Sequence, residues 1–330
     1  LEETGARVKI IAWVVMAFAL VFTGCSLFPD GQVAANLPPV DPGTGGGSVL
    51  PPPIPPSADP GTRTGPVKVG AFNIEIFGPT KAGRSVVLGV LAGIATTYDV
   101  LAIEEVGSNG IPSDSTATAV MDTYIARINQ IAGAGSYAYV RGNQYAIVYR
   151  RSEFTLDASS LYSGTQTFTY QPLTAHLKST RGNFGFAMLV VHTSPSKALT
   201  EIPELKVAMS EVGALYKESD VMALGDFNAD GSYYVEGSGS DLAGFEAPAY
   251  ISAISNSADT TVAASVNTYD RIELSASMTS DYASSSGVIN FGQVYDMTVC
   301  EGTALTAGTE SAVSDHYPVW AEFYVDKDAD

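Results

Sequence analysis

Two of the chain's three histidines stand where apolar runs stop: His192 in "VVHTSP" and His316 in "SDHYP". Acids and amides hold the same kind of place. They are Asn73 in "AFNI", Glu105 in "AIEEV", Asp226 and Asn228 in "GDFNA", Asp270 in "TYDRI" and Asp315 in "SDHYP". Singly, each has an ordinary explanation, since an Asp at a strand end is most often a turn or helix cap. Together they fit one chemistry. Imidazoles titrating near neutral pH can take a proton from water and give one to a leaving alkoxide. Hard oxygen ligands such as Glu105, Asp226 and Asp315 suit Mg²⁺, Mn²⁺ or Ca²⁺, and no Cys/His cluster of the kind zinc prefers is present. Asn73 and Asn228 can donate neutral hydrogen bonds to phosphate oxygens. A cation bridging a phosphate oxygen would offset the surrounding acidity and stabilise developing charge. Such a set hydrolyses phosphodiesters. His176 reads instead as a satisfied surface or core group, and Glu104 as a solvated edge beside Glu105.

Buried strands must deliver these groups. In "DVMALGDFN" (residues 220–228) an apolar run ends in polar residues, and period two puts Asp226 and Asn228 on one side with Phe227 opposite. Further strands read at "VKVGAFNI" (67–74), "YDVLAIEEV" (98–106), "FGFAMLVVHT" (184–193), "TYDRIEL" and "HYPVWAEFYV", with a hairpin of "YAYVRG" and "QYAIVYR". Helical spacing marks residues 83–97, 114–132 and 198–217. Hairpins imply antiparallel pairing, so a doubly wound parallel sheet does not fit. Two packed sheets with helices on their outer faces do.

The whole chain has 330 residues, is 45% apolar and 16% charged, and carries 35 acids against 17 bases for a net charge of −18. A core of useful size is therefore available. The acidity serves solubility and argues against clamping a polyanion through many lysines and arginines. Arg7 and Lys9 precede the apolar run "IIAWVVMAFALVF", which suits a signal segment better than a membrane span. It ends in "TGC", resembling a bacterial lipoprotein cleavage and lipidation box, with Cys25 as the lipidated residue. The expected organisation is a signal peptide over 1–24, a Pro/Gly/Ser-rich linker over 25–66 and one catalytic domain over 67–330. Such a linker would hold the domain on the order of 100 Å from its anchor. The compartment is then extracytoplasmic, with a membrane as partner through the lipid and the domain itself a monomer. Cys300 is the other cysteine, expected as a small core residue.

The segments "AFNIEIFGPTK", "YDVLAIEEV", "QYAIVYR", "VVHTSPS", "GDFNADGSYY", "SADTT", "TYDRI" and "SDHYPV" occur in this order. In kind and order they resemble the endonuclease/exonuclease/phosphatase superfamily, most closely its deoxyribonuclease I branch. The resemblance implies a four-layer α/β sandwich, with divalent-metal-dependent cleavage of DNA leaving 5′-phosphates. By position it implies Glu105 as metal ligand, His192 and His316 as the acid/base pair, and Asp270 as the carboxylate orienting His316. Asn73, Asp226, Asn228 and Asp315 fall at phosphate- and metal-binding positions. "SADTT" resembles a calcium-binding loop, so Asp259 and Thr261 are candidates for a structural Ca²⁺.

The departures matter as much. The carboxylate that orients the first histidine in that branch falls at Asn143, whose amide can hydrogen-bond an imidazole but cannot stabilise imidazolium by charge. A less basic His192 and a lower rate are expected. Its DNA-contacting arginines fall at Glu75, Gly107 and Tyr170, which weakens the hold on nucleic acid. Lys81, Arg84, Lys178, Arg181 and Lys197 are the cations that could compensate. The expected substrate is DNA held by few basic contacts. The alternatives are a sphingomyelinase-like or nucleotide phosphodiesterase, and a weakened binding module.

Overall fold

The structure is a computed structural model describing residues 64–107, 114–234, 242, 244–294 and 310–328. The signal segment, Cys25, nearly all of the linker and Cys300 lie outside the described residues.

Twelve strands form two six-stranded sheets. The first sheet runs β11 (Tyr282–Val288), β12 (Val319–Phe323), β1 (Val67–Phe77), β2 (Val100–Val106), β4 (Tyr145–Arg150), β3 (Tyr137–Gly142). The second runs β5 (Phe154–Leu161), β6 (Leu173–Ser179), β7 (Gly185–His192), β8 (Val221–Asp226), β10 (Asp270–Ser275), β9 (Tyr250–Ser252). One parallel pair sits inside each sheet, β1 with β2 and β7 with β8, and the other pairings are antiparallel.

Each central strand is apolar on both faces because each face meets another layer. Val67, Val69 and Ala71 of β1 pack between the sheets with Val100 and Ala102 of β2, Phe186, Met188 and Val190 of β7, and Met222 and Leu224 of β8. After the short helix α1 (Pro79–Ala82), the alternate residues Phe72, Ile74, Leu101 and Ile103 meet the helices α2 (Ser85–Ala95) and α3 (Asp114–Ala132). On α3 the buried stripe Ala117, Val120, Met121, Tyr124 and Ile128 follows helical spacing. Helix α4 (Ala198–Tyr216) covers the second sheet, packing on Ala187, Leu189, Val191 and Ala223. The result is the four-layer α/β/β/α sandwich that the sequence pattern implies.

Two differences bear on the site. Strand β8 stops at Asp226, and Asn228 follows it with a left-handed φ of 47°, so the period-two face shared by Asp226 and Asn228 does not persist. Glu104 is not a solvated edge. It is fully buried, and the alternation of Val100 and Ala102 turns it inward between the sheets.

Candidate active site

The same inward alternation that fills the inter-sheet core continues past its last apolar residue, and there it places polar groups. In β7, Phe186, Met188 and Val190 lead to His192; in β8, Met222 and Leu224 lead to Asp226; in β10, Ile272 and Leu274 lead back to Asp270. Register aligns them, His192 opposite Asp226 and Asp226 opposite Asp270. From the other sheet β1 supplies Asn73, paired in register with Glu104 of β2.

Asp226 is the hub. Its Oδ2 lies 3.5 Å from His192 Nε2 and 3.5 Å from His316 Nε2. Asn73 Nδ2 donates to Asp226 Oδ2 and to Glu105 Oε1, each at 3.1 Å, so one amide joins the two sheets and two carboxylates. His316 Nδ1 meets Asp270 Oδ2 at 2.8 Å, which orients the ring. Ser314 Oγ donates to Asn73 O at 2.6 Å and accepts from His316 N at 3.0 Å, fixing the His316 loop on β1. Asp315 is more than half exposed, its Oδ1 3.9 Å from His316 Nε2.

Backbone strain is concentrated here. Glu75, Ile76, Glu105, Asn143 and Asn228 all have positive φ, a conformation uncommon outside glycine and a true outlier for the β-branched Ile76. The bonds that offset it are visible. Ile76 N donates to Glu105 Oε2 at 2.8 Å, and Lys81 Nζ donates to Ile74 O at 2.9 Å and Val313 O at 3.2 Å. Gly225 has φ 135°, and a Cβ there would sit 2.0 Å from Val191 O, so the "GDFN" turn requires glycine.

Burial dominates the electrostatics. It would push His316 down, but the Asp270 and Asp226 charges outweigh it and hold the imidazole well above its ordinary value. Burial raises Asp270 to about 6, with the His316 charge opposing. Glu104 is pushed well above the usual carboxylate range by burial, then by the Asp270 and Asp226 charges. Burial lowers Lys81, with Glu75 opposing.

Several sequence expectations end elsewhere. Asn228 Nδ2 donates to Thr193 O at 2.9 Å, tying the loop after β7 to the loop after β8. No hydrogen bond joins Asn143 to His192: the His192 Nδ1 is buried without a partner, and His192 is placed instead by Tyr145 Oη, which accepts from its backbone N at 3.1 Å, and by the Tyr170 ring at 5.2 Å. Asn143 sits on the β3–β4 turn, where its backbone carbonyl accepts from Arg141 Nη2 at 3.1 Å. Asp259 Oδ1 accepts from Thr261 N at 3.3 Å, folding back on its own loop, and no second acid or imidazole joins it among the described residues. That loop carries Thr260, whose Oγ1 accepts from Asp270 N at 3.1 Å, and Thr261 bridges to His316. Lys178 and Arg181 lie at the opposite end of β6 and β7, the latter paired with Glu153 at 2.5 Å, so neither serves this cleft. Lys81 pairs with Glu75 at 3.2 Å and spends its other bonds on carbonyls. Lys197, exposed at the head of α4, is at the site's end of the sheet. His176 is satisfied by Asp157 at 3.0 Å and Glu218 at 3.1 Å.

One positioning group escaped the sequence. Glu201, in the first turn of α4, is buried; it accepts from Ser194 N at 2.9 Å and Thr169 N at 2.8 Å, holding the segments that carry His192 and Tyr170. Its signal was an acid on the apolar stripe of Ala198, Ile202 and Leu205.

An oxygen-only donor set suits a hard divalent cation. Glu105 and Asp226 flank one amide, whereas Asp270 is committed to His316, so the cation would belong to the Glu105–Asp226 side.

No protein-family model matches the chain. Deoxyribonuclease-1 of Equus caballus is 30% identical over 269 residues, covering 77% of the chain and 90% of that protein. The rabbit protein (Oryctolagus cuniculus) is 29% identical over 269 residues, covering 77% and 92%. Among solved structures, humanized D. rerio TDP2 shares the fold at TM-score 0.50 and 14% identity, covering 78% of the chain and 99% of that structure. An endonuclease/exonuclease/phosphatase from Bacteroides vulgatus does so at TM-score 0.50 and 13% identity, covering 80% and 100%. The sandwich is thus that of the endonuclease/exonuclease/phosphatase superfamily, and the chain is a hydrolase of phosphodiesterase or nuclease type. Within that superfamily it belongs to the deoxyribonuclease I family.

Proposed function

We propose that the protein is an extracytoplasmic, divalent-metal-dependent endonuclease that hydrolyses DNA phosphodiester bonds and leaves 5′-phosphate ends. The observation that carries this is the pair of imidazole Nε2 atoms, each 3.5 Å from the same Asp226 oxygen. A scissile phosphate seated over Asp226 would lie between them. One imidazole takes the proton of the attacking water as its oxygen bonds to phosphorus. The other gives a proton to the 3′ oxygen as the phosphorus–oxygen bond breaks. Asp270 keeps His316 in the productive orientation, and Asn73 donates within the cleft from the junction of the sheets. Glu105, Asp226 and Asp315 would hold the cation, which when bound neutralises phosphate charge. The extracytoplasmic setting rests on the apolar run 10–22 and its "TGC" ending, with Cys25 lipidated. Calcium in the Asp259–Thr261 loop would steady the strap behind His316.

Glu75, Gly107 and Tyr170 supply no cation where deoxyribonuclease I has arginine, and this favours a second reading: another phosphodiester as substrate. Plasmid DNA incubated with the purified protein and Mg²⁺/Ca²⁺ tests both. Nicking that EDTA abolishes, and that His316→Ala reduces by about 10²–10⁴, supports the nuclease. Intact plasmid with hydrolysis of a bis-aryl phosphate ester supports the second reading, and no turnover of either refutes both.

A further inference from the structure

At the end of the sheets away from the cleft, three carboxylates from separate parts of the chain converge. Asp220 immediately precedes β8, Asp281 immediately precedes β11, and Asp328 lies in the tail after β12. One carboxylate oxygen from each lies within 4.8 Å of the others. Asp220 and Asp281 are each 1% exposed. Asp281 Oδ1 is buried with no donor of another residue type on it, its Oδ2 accepts from the Ser280 hydroxyl at 3.4 Å, and the Asp220 carboxyl lies within hydrogen-bonding reach. Burial and the Asp328 charge both push this carboxyl up.

The positions are built. Ala187 N donates to Asp220 O at 2.8 Å, Tyr324 N to Asp281 O at 2.8 Å, and Gly185 N to Asp328 Oδ2 at 3.2 Å. Three acids held this close repel unless protons or a cation lie between them. Asp328 also lines a surface recess of about 580 Å³ with Lys178, Asn183, Lys217, Glu218 and Ser219, which leaves the Asp328 side of the cluster open to solvent.

We propose that Asp220, Asp281 and Asp328 bind a structural divalent cation of the calcium type, separate from catalysis. The donors are oxygen only and contribute three carboxylates. That favours Ca²⁺, which takes six to eight oxygens, over Mg²⁺, which keeps its waters and one or two carboxylates. The ion straps the second sheet, through Asp220, to the first, through Asp281 and the β12 tail.

The test is calorimetry and equilibrium dialysis of the full-length protein in saturating Mg²⁺, titrated with Ca²⁺. The wild type should gain roughly 5–10 °C in melting temperature at a hundredfold excess over Kd. Asp281→Asn should lose that gain and one bound Ca²⁺ per chain, while Asp122→Asn, exposed on α3, keeps both. In EDTA, Asp281→Asn should melt at or above the wild type, because one repelling charge is gone. If Asp281→Asn fails to fold, Asp328→Asn in the tail gives the same reading. Equal Ca²⁺ uptake and equal melting gain in wild type and variant would overturn the proposal. So would a wild type that gains nothing, which would mean that shared protons hold the acids together.

Discussion

Glu104 lies beneath the cleft with both carboxylate oxygens buried and unpartnered. Burial and the charges of Asp270 and Asp226 hold its proton more tightly in the folded chain than in the unfolded one. Such an acid supports folding below its ordinary value near 4 and detracts as the pH rises, because the unfolded state then releases the proton more readily. Glu104→Gln removes that linkage. In EDTA, urea unfolding should show the variant more stable at pH 8 by roughly 1–3 kcal/mol, with the difference gone by about pH 4. A constant difference across that range would show that Glu104 titrates alike in the folded and unfolded states. His192 presents the opposite case: its Nδ1 lacks the acceptor that Asp270 provides for His316, so the two imidazoles are unequally held.

At the scale of elements, the site is a seam where strands of both sheets run out of apolar residues and loops take over. Those loops are pinned from outside. Glu201 of α4 is the acceptor for Ser194 N and Thr169 N, and Thr169 Oγ1 also donates to it at 2.6 Å. Glu201→Ala should cost about 1–3 kcal/mol in chemical denaturation, since the buried Ser194 N–H and the part-buried Thr169 N–H lose their acceptor. A loss below 0.5 kcal/mol, the level of ordinary surface changes, would mean that the loops hold themselves. This division also explains what the sequence disclosed. The central strands and α3, Asp114–Ala132, were legible because apolar residues repeat with clear period. Strands β5 ("FTLDASSL") and β11 ("YASSSGV") were not, because edge strands half open to solvent need no apolar alternation. His192, Asp226, Asp270 and His316 were legible as polar ends of buried runs. Asn228 was misplaced because period two says nothing once a strand has ended. Asn143 sits on a turn at φ 51°, a conformation that no sequence pattern displays.

Among the described residues, clustered acidity is handled in two places. At the cleft, carboxylates surround a position for a cation and two imidazoles. At the far end, Asp220, Asp281 and Asp328 gather where the sheets must be held together. Cations for a polyanion are sparse by comparison: Lys81 is tied to its own loop, and Lys178 and Arg181 face the other end. On the proposed reading, positioning of a phosphate between His192 and His316, rather than broad electrostatic attraction, supplies the rate. Single-turnover nicking of plasmid by His192→Ala, His316→Ala and the double variant tests that most directly. Groups that act as one unit are non-additive. Each single change should slow the reaction by about 10²–10⁴, and the double variant should be little slower than the worse single one. Either single variant cleaving at the wild-type rate, or losses that simply multiply, would contradict a shared acid/base site at Asp226.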